Sequence, residues 1–256
     1  MMTIQNISIV GSGNTANYFA TKLAKHGFNI VQIISRNEHT GQLLAKLVNA
    51  NFEKNYFVDS SSQLVLLCVP DDQILDCAEK LCLTNSAIVC HCAGSVELKV
   101  LSTFDWYGVI YPLQSLSKST PADEIEVPFL IESNKPEILE AIQSIIMTVG
   151  CESHLADSKV RLNYHLAAVF ANNFTNAMLI AVEKLSIGHQ LDFNLLRPLI
   201  KRTIEKIELL TPTEAQTGPA VRNDLITISK HLEVLKDNPE LLSVYKAITE
   251  FIQSEG

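Results

Sequence analysis

The fold is decided near the N-terminus, by the segment Ile7-Ser8-Ile9-Val10-Gly11-Ser12-Gly13-Asn14-Thr15-Ala16. An apolar run, Ile4–Val10, stops at Gly11, and residues with helical spacing follow. In this strand–turn–helix order, a G-x-G-x-x-A motif indicates phosphate binding, because Gly13 lets a pyrophosphate approach the backbone and Ala16 allows the helix to pack closely on the strand. The free N–H groups that begin the helix add donors for an anion. The predicted dinucleotide-binding residues are Gly11, Ser12, Gly13, Asn14 and Thr15; a tight turn without ligand is the alternative.

The end of the second predicted strand, Asn29–Ile34, indicates which dinucleotide is bound. NAD enzymes usually carry an acidic side chain there, which binds the ribose 2′-hydroxyl. Here the strand is followed by Ser35-Arg36-Asn37. Arg36 offers a charged fork to a 2′-phosphate, and Ser35 and Asn37 offer hydrogen bonds. NADP(H) is therefore the predicted cofactor; in the alternative, Arg36 is a solvated surface residue and Glu38 reaches inward.

The rest of the chain separates into two regions by its pattern. Strands are predicted at Leu64–Val69, Ala87–Cys90, Tyr107–Tyr111 and Phe129–Ile131, and they alternate with helices at Asn14–His26, Leu43–Leu47 and Ile74–Leu81. Such alternation predicts an α/β fold with a parallel sheet covered on both faces. After Gly150 the strands stop, and helices are predicted over Ser158–Ser186, Phe193–Leu210, Pro219–Leu235 and Pro239–Gln253. We expect a Rossmann-like domain over residues 1–152 and an all-helical domain over residues 153–256.

Charge and hydropathy argue against two classes of partner. The 256 residues carry a formal charge of −8, whereas nucleic-acid binding requires a basic face. No uninterrupted apolar run is longer than Leu64–Val69, far short of the roughly 20 residues that span a bilayer. No basic region followed by an apolar core begins the chain. The sequence therefore argues against a nucleic-acid-binding protein, a membrane protein and an exported protein.

The six cysteines predict a reduced, cytoplasmic protein. Most of them lie within apolar runs, as free buried thiols do. The triplet Cys90-His91-Cys92 lacks a second ligand pair with zinc-like spacing, and neighbouring side chains on a strand point to opposite faces. No metal site is predicted.

Several motifs together resemble those of a known family. They are Gly11–Ala16, Cys68-Val69-Pro70-Asp71-Asp72, His91-Cys92-Ala93-Gly94, Tyr111-Pro112-Leu113-Gln114, His165 with Asn173, and Thr217-Gly218-Pro219 with Arg222, Asp224 and His231. Nearly the whole chain resembles predicted NADP-dependent oxidoreductases, in which a Rossmann-like domain precedes a helical C-terminal domain of unknown function. These are related to 6-phosphogluconate dehydrogenase, β-hydroxyacid dehydrogenases, ketopantoate reductase and pyrroline-5-carboxylate reductase. The resemblance implies a homodimer formed through the helical domain.

Two motifs follow the predicted strands where ligands of open parallel sheets bind. Val69-Pro70 and Ala93-Gly94 are therefore expected to border the nicotinamide side of the cofactor. Asp71 or Asp72 is expected to cap the helix that contains Ile74. His91 has two alternatives of equal weight, donation to cofactor or substrate and orientation of its own loop.

The long apolar segment carries the other candidate reactive groups. Asn172, Asn173 and Asn176 follow His165 at helical offsets that place all four near one face. The equivalent helix of β-hydroxyacid dehydrogenases carries a catalytic lysine one turn before an asparagine, but Ala168 or Val169 stands there in this chain. His165 is thus the predicted acid/base group, with Asn173 positioning an oxygen or the nicotinamide amide and Asn172 contacting substrate. A polar network between helices is the alternative.

Other features leave the reaction open. At the positions of Ala93 and Tyr111, relatives tend to carry Ser and His. Ser95 can take over the role of the missing serine. Thr217 is predicted near a helix cap with Pro219 in the first turn. Thr217 and Arg222 are predicted to bind the substrate, although Arg222 can instead pair with Asp224.

The preferred hypothesis is an NADPH-dependent reductase of a C=O or C=N bond in a small carboxylate-bearing metabolite. His165 would supply the proton and Arg222 would hold the carboxylate. The missing lysine and the departures at Ala93 and Tyr111 favour a rival, a non-catalytic NADP-binding protein. A third hypothesis is a Rossmann scaffold that binds no dinucleotide.

Overall fold

The computed structural model describes residues 3–255, in which eight strands form one sheet in the order β3-β2-β1-β4-β5-β6-β7-β8. Their bounds are β1 Asn6–Val10, β2 Asn29–Ile34, β3 Asn51–Glu53, β4 Leu64–Leu67, β5 Ile88–His91, β6 Tyr107–Pro112, β7 Phe129–Ser133 and β8 Ser153–Leu155. All neighbours pair in parallel except β6 and β7. The predicted α/β class is confirmed, and all the predicted strands are present within a few residues.

Helices cover both faces of this sheet. They are α1 Asn14–Lys25, α2 Glu38–Leu47, α3 Ile74–Lys80 and α4 Pro136–Thr148; the next helix, α5 Ser158–Ala168, follows β8. Ile7 and Ile9 are fully buried among residues of α1, α2 and α4 on one face, and Val65 and Leu67 pack with α3 on the other. This alternation along central strands is what parallel strands buried on both faces require.

The sheet departs from the prediction at its far edge. The expectation of parallel strands throughout is wrong for β7, which pairs antiparallel to β6 with Ile110 opposite Ile131. The connection over residues 113–128 contains no helix, and a helix is the usual crossover between parallel strands. Two short strands, β3 and β8, and the helix α4 were not anticipated from the pattern.

The chain separates into two compact units, Met1–Asn173 and Phe174–Gly256. This division lies later than the predicted boundary after residue 152, because α5 is anchored in the first unit. Arg161 of α5 is fully buried and donates to Glu132 of β7 and to the Val96 carbonyl, both at 2.5 Å. The charged, buried pair ties the helix to β7.

The second unit is helical. It contains α6 Thr175–Gly188, α7 Arg197–Lys206, α8 Pro212–Ala215, α9 Leu225–Val234 and α10 Pro239–Ser254. The predicted helix start at Thr217 and Pro219 is wrong: α9 begins at Leu225, where the Asp224 side chain accepts from the Thr227 backbone at 3.0 Å. Upstream, Gly218 at φ +121° and Asn223 at φ +52° interrupt the helical path.

One helical segment of the described residues, Ser158–Gly188, is long and apolar enough to cross a membrane by length and composition. Its apolar character is not visible as one uninterrupted run, because His and Asn side chains interrupt the sequence. The most apolar 18 residues of this segment include no buried residue. Exposed apolar side chains include Leu162, Leu166, Met178 and Ile180.

Candidate active site

The glycine turn has the shape that a bound phosphate requires. Gly11 has φ +121°, and a Cβ there would lie 2.2 Å from the Cys68 carbonyl oxygen, so only glycine fits. A Cβ at Gly13, in contrast, would meet nothing within 4 Å. No side chain caps α1, and its first turn holds no acidic residue. The N–H groups that begin α1, at Asn14 and Thr15, are therefore open to an external anion.

Beside this turn lies a cavity of about 300 Å³ whose lining joins the ends of β1, β2 and β4. The residues are Val10, Gly11, Ser12, Gly13, Ile34, Ser35, Arg36, Asn37, Tyr56, Cys68, Val69, Pro70 and Gln73. No carboxylate is among them, and Arg36 is exposed with its guanidinium donating to Gln73 Oε1. Glu38 forms an ion pair with Lys54, outside this lining. This set of residues fits a dinucleotide that carries a 2′-phosphate.

Hydroxyl groups connect the turn to the end of β2. The Ser12 hydroxyl shares hydrogen bonds with Ser35 at 2.9 Å and with Thr40 at 2.7 Å. Asn37 caps α2, since its side chain accepts from the Thr40 backbone N–H at 3.1 Å. Sequence reasoning missed Thr40, although its position in the first turn of a helix beginning after Asn37 was a usable signal.

A second cavity, of about 490 Å³, lies against β6 and α5. Its lining contains Tyr111, Leu113, Gln114, Ser115, Tyr164, His165, Ala167, Ala168, Val169, Ala171, Asn172 and Asn173. His165, Asn172 and Asn173 are thus brought together as predicted. Ala168 and Val169 also face this space, so the described lining holds no lysine where hydroxyacid dehydrogenases carry theirs.

Tyr111 and His165 form the central polar pair of this cavity. The Tyr111 hydroxyl lies 3.0 Å from His165 Nδ1, and the rings meet edge to face at 5.8 Å. Burial, and then the nearby Asp71 charge, raise the pKa of the Tyr111 phenol, so it stays protonated at neutral pH. The phenol can donate to Nδ1, and the tautomer that accepts this hydrogen bond carries the imidazole proton on Nε2.

Two of the three predicted asparagines lie on a π-helical turn, Val169–Phe174, which links α5 to α6. Asn172 and Asn173 belong to this turn and line the cavity, whereas Asn176 lies in α6, within the second unit. The prediction that four polar side chains share one face assumed a regular α-helical spacing. A π turn changes that spacing, and such turns are frequent at functional sites.

The ends of β4 and β5 complete the surroundings of His165. A Cβ on the buried Gly94 would lie 2.7 Å from His165 Nδ1, so the chain after β5 packs directly on the imidazole. Ser95 donates to Asp71. The expectation that Asp71 or Asp72 caps α3 is wrong, because α3 has no side-chain cap. Val69 and Pro70 line the smaller cavity, and Ala93 is buried beside Gly94.

His91 lies apart from both cavities. Its side chain is fully buried, and Nδ1 accepts from the Ala93 backbone N–H at 3.2 Å. Burial, aided by the charge of Arg161, lowers the pKa of His91 to about 3, so the ring is neutral at physiological pH. This geometry favours the second alternative for His91, orientation of its loop.

The predicted substrate residues Thr217 and Arg222 lie in the second unit, where Arg222 is exposed. Arg222 makes no salt bridge among residues 3–255, although it helps Thr227 to lower the pKa of Asp224. His231 Nδ1 lies 2.8 Å from the Tyr245 hydroxyl, on the neighbouring helix α10. Within the described part of the chain, no three His, Cys, Asp or Glu side chains are grouped to hold a metal ion.

Two family models match successive parts of the chain. Residues 6–93 match the model described as NADP oxidoreductase coenzyme F420-dependent, and residues 127–252 match a domain of unknown function, DUF2520. No curated protein matches the chain.

Solved structures give a consistent result. BF3122 from Bacteroides fragilis, designated an NADP oxidoreductase, is 34% identical over 98% of both chains with a TM-score of 0.89. A reductive aminase from Aspergillus terreus in complex with NADPH and ethyl-5-oxohexanoate is 13% identical over 100% of this chain and 95% of its own, with a TM-score of 0.66. For 1-pyrroline-5-carboxylate reductase from Streptococcus pyogenes the identity is 13%, the coverage 97% and 98%, and the TM-score 0.60. The last two show the fold alone, whereas the family matches confirm the predicted cofactor, NADP(H).

Proposed function

Since this chain belongs to the family of NADP oxidoreductases with a C-terminal DUF2520 domain, we propose that it is an NADPH-dependent reductase of a C=O or C=N bond in a small carboxylate-bearing metabolite. The observation that carries the proposal is the Tyr111–His165 pair in the 490 Å³ cavity. Two proteins of the same fold support the bond type, one a reductive aminase and the other a reductase of a cyclic imine acid.

NADPH supplies a hydride when bound, and the protein's task is orientation and delivery of a proton. His165 presents a proton on Nε2, and Tyr111 fixes the ring through Nδ1. As the Nε2 proton passes to the substrate, Nδ1 takes the hydroxyl proton of Tyr111, so the imidazole stays neutral and the phenol is left to regain a proton. Asn172 and Asn173 offer amide groups to the substrate oxygen or nitrogen. The ring is only half-buried, so the proton can be replaced from solvent.

Arg222 is the proposed ligand for the substrate carboxylate, with Thr217 contributing a hydroxyl. The guanidinium is exposed and makes no salt bridge within the described residues, so it can bind an acid group in two hydrogen bonds.

The test is a panel of keto acids and cyclic imine acids, each paired with its methyl ester. We expect oxidation of NADPH with the acids, and a KM for the esters raised about tenfold or more, because a charge-assisted contact is lost. Tight NADPH binding without turnover on any member would instead favour the non-catalytic NADP-binding protein.

We also propose that the protein is a cytoplasmic homodimer whose subunits meet through the apolar face of Ser158–Gly188. An apolar face this long requires a partner surface. The same segment carries His165, Asn172 and Asn173, and such groups are costly in hydrocarbon, which favours a second copy over a lipid bilayer. The six free thiols fit a reducing compartment.

Sedimentation and vesicle flotation test this assembly. We expect a dimer for the native chain, a monomer for Leu166→Glu, and an unchanged dimer for Leu43→Glu, which alters an equally exposed leucine on α2. Flotation of the native chain with phospholipid vesicles would contradict the proposal.

A further inference from the structure

The connection between β6 and β7, residues 113–128, runs from one cavity to the other. Leu113, Gln114 and Ser115 line the cavity that contains His165. Three residues further on, Lys118 Nζ donates to the Ser12 carbonyl at 2.9 Å. That carbonyl belongs to the peptide unit between Ser12 and Gly13, so the ammonium group lies at the middle of the glycine turn.

The position of this loop is fixed by charges on α1. Asp123 forms ion pairs with Lys22, at 2.9 Å, and with Lys25. The two lysines, Lys25 first, lower the pKa of the Asp123 carboxyl to about 2, so the pairing persists through the neutral range. Leu116 and Ile125 pack against the main core on either side of Lys118. The ammonium group is therefore held over the turn rather than carried on a loose segment.

The contact with Ser12 leaves most of the capacity of Lys118 unused. An ammonium group has three N–H donors, and the Ser12 carbonyl takes one of them. Lys118 is exposed and forms no salt bridge among residues 3–255. The chain as a whole carries a charge of −8, yet a cation is positioned at the turn where the phosphates of a dinucleotide bind.

We propose that Lys118 is a cofactor-binding residue, which donates to a phosphate group of the dinucleotide bound at the Gly11–Ala16 turn. Two phosphate groups share this chemistry. The pyrophosphate would be received by the α1 N–H groups, and the 2′-phosphate by Arg36 and the Ser12, Ser35 and Thr40 hydroxyls. The loop would thereby connect occupancy of the cofactor site to the lining of the substrate cavity through Gln114 and Ser115.

Calorimetric titration of the full-length chain with NADPH and with NADH tests this role. For Lys118→Gln we expect an affinity about tenfold lower than that of the native chain, the usual effect of one charge-assisted hydrogen bond. An equal loss of affinity for both cofactors would assign the Lys118 contact to the pyrophosphate. A loss of affinity for NADPH alone would assign it to the 2′-phosphate. Raising the salt concentration is expected to lower the cofactor affinity of the native chain more than that of Lys118→Gln.

Two controls separate a phosphate contact from a structural one. Lys118→Arg keeps the charge and is expected to retain most of the affinity. Lys46→Gln makes the same change in net charge at the C-terminal end of α2, away from the turn, and is expected to bind like the native chain. Affinities of Lys118→Gln within twofold of native for both cofactors, or a loss that Lys118→Arg does not restore, would overturn the proposal. Because the readout is binding, it does not depend on the proposed reaction.

Discussion

Two histidine–tyrosine pairs of nearly the same geometry occur in this molecule, one in each compact unit. His165 and Tyr111 are 3.0 Å apart with rings at 75°, and His231 and Tyr245 are 2.8 Å apart with rings at 88°. The first pair is half-buried and lines a cavity of about 490 Å³, next to Gly94. His231 is exposed and lines none of the cavities described above. The same hydrogen bond is therefore a candidate for chemistry only where it lines a cavity and part of the solvent is excluded.

The anchoring of α5 is the strongest difference between the two surroundings. Glu132→Gln leaves the buried Arg161 guanidinium without its counter-charge, and we expect the free energy of unfolding to fall by about 3–5 kcal/mol. Urea unfolding measures this loss. The matched change Glu233→Gln, in an exposed pair with Lys236, is expected to have no measurable effect. Equal effects of the two changes would refute the role of Arg161 as the anchor.

A substitution at Arg36 tests the predicted 2′-phosphate site in the first unit. Arg36→Ala removes a charged fork from the smaller cavity, and we expect NADPH affinity to fall about thirtyfold with NADH affinity unchanged. Arg202→Ala is the control, because Arg202 lies on α7 beside Glu205. Calorimetry with both cofactors distinguishes the cases, and unchanged NADPH affinity in Arg36→Ala would remove this residue from the 2′-phosphate site.

His91 makes the first unit sensitive to acid. Its pKa is 6.5 ordinarily and about 3 when folded, so between these values the unfolded chain binds a proton that the folded chain excludes. The free energy of unfolding should then fall with decreasing pH across this window, by about 1.4 kcal/mol per pH unit from this group. His91→Asn keeps an acceptor for Ala93 and should lack that part of the slope. If the free energies of unfolding of the native chain and of His91→Asn, measured with urea, change in parallel with pH, His91 is not the source of this acid sensitivity.

Removing a single hydroxyl compares the two pairs directly. Tyr111→Phe leaves His165 without the donor at Nδ1, and we expect kcat to fall about fivefold, as for one neutral hydrogen bond. Tyr245→Phe should leave kcat within error. Steady-state rates over a range of pH check this. A changed pH dependence of kcat for Tyr111→Phe alone would show that the hydroxyl acts on the His165 imidazole.

Local patterns predicted the part of the fold that local interactions form. The apolar run before Gly11, the helix after Asn14 and the alternation of strands depend on neighbouring residues, and all were recognisable. The helix α4 was also recognisable, since Pro136 begins it and Ile138, Ile142 and Ile145 follow at helical spacing.

Contacts between distant residues account for what the sequence did not predict. The direction of β7 is set by pairing across the loop, and the burial of Arg161 depends on Glu132 and Val96, which are far away in the chain. Lys118 likewise meets Ser12 only in the folded state. The start of α9 is an exception, because the cap that decides it is as local as the Pro219 signal. The Asp224 side chain accepts from the Thr227 backbone three residues later, and Asn223 before it has a positive φ.

The measurement that tests the central claim most directly is turnover of His165→Ala against His231→Ala, with the best carboxylate substrate and NADPH. We expect kcat of His165→Ala to fall by roughly 10²-fold or more, with NADPH affinity unchanged, and His231→Ala to retain the native rate. A near-native rate for His165→Ala would contradict the assignment of the proton donor to the Tyr111–His165 pair.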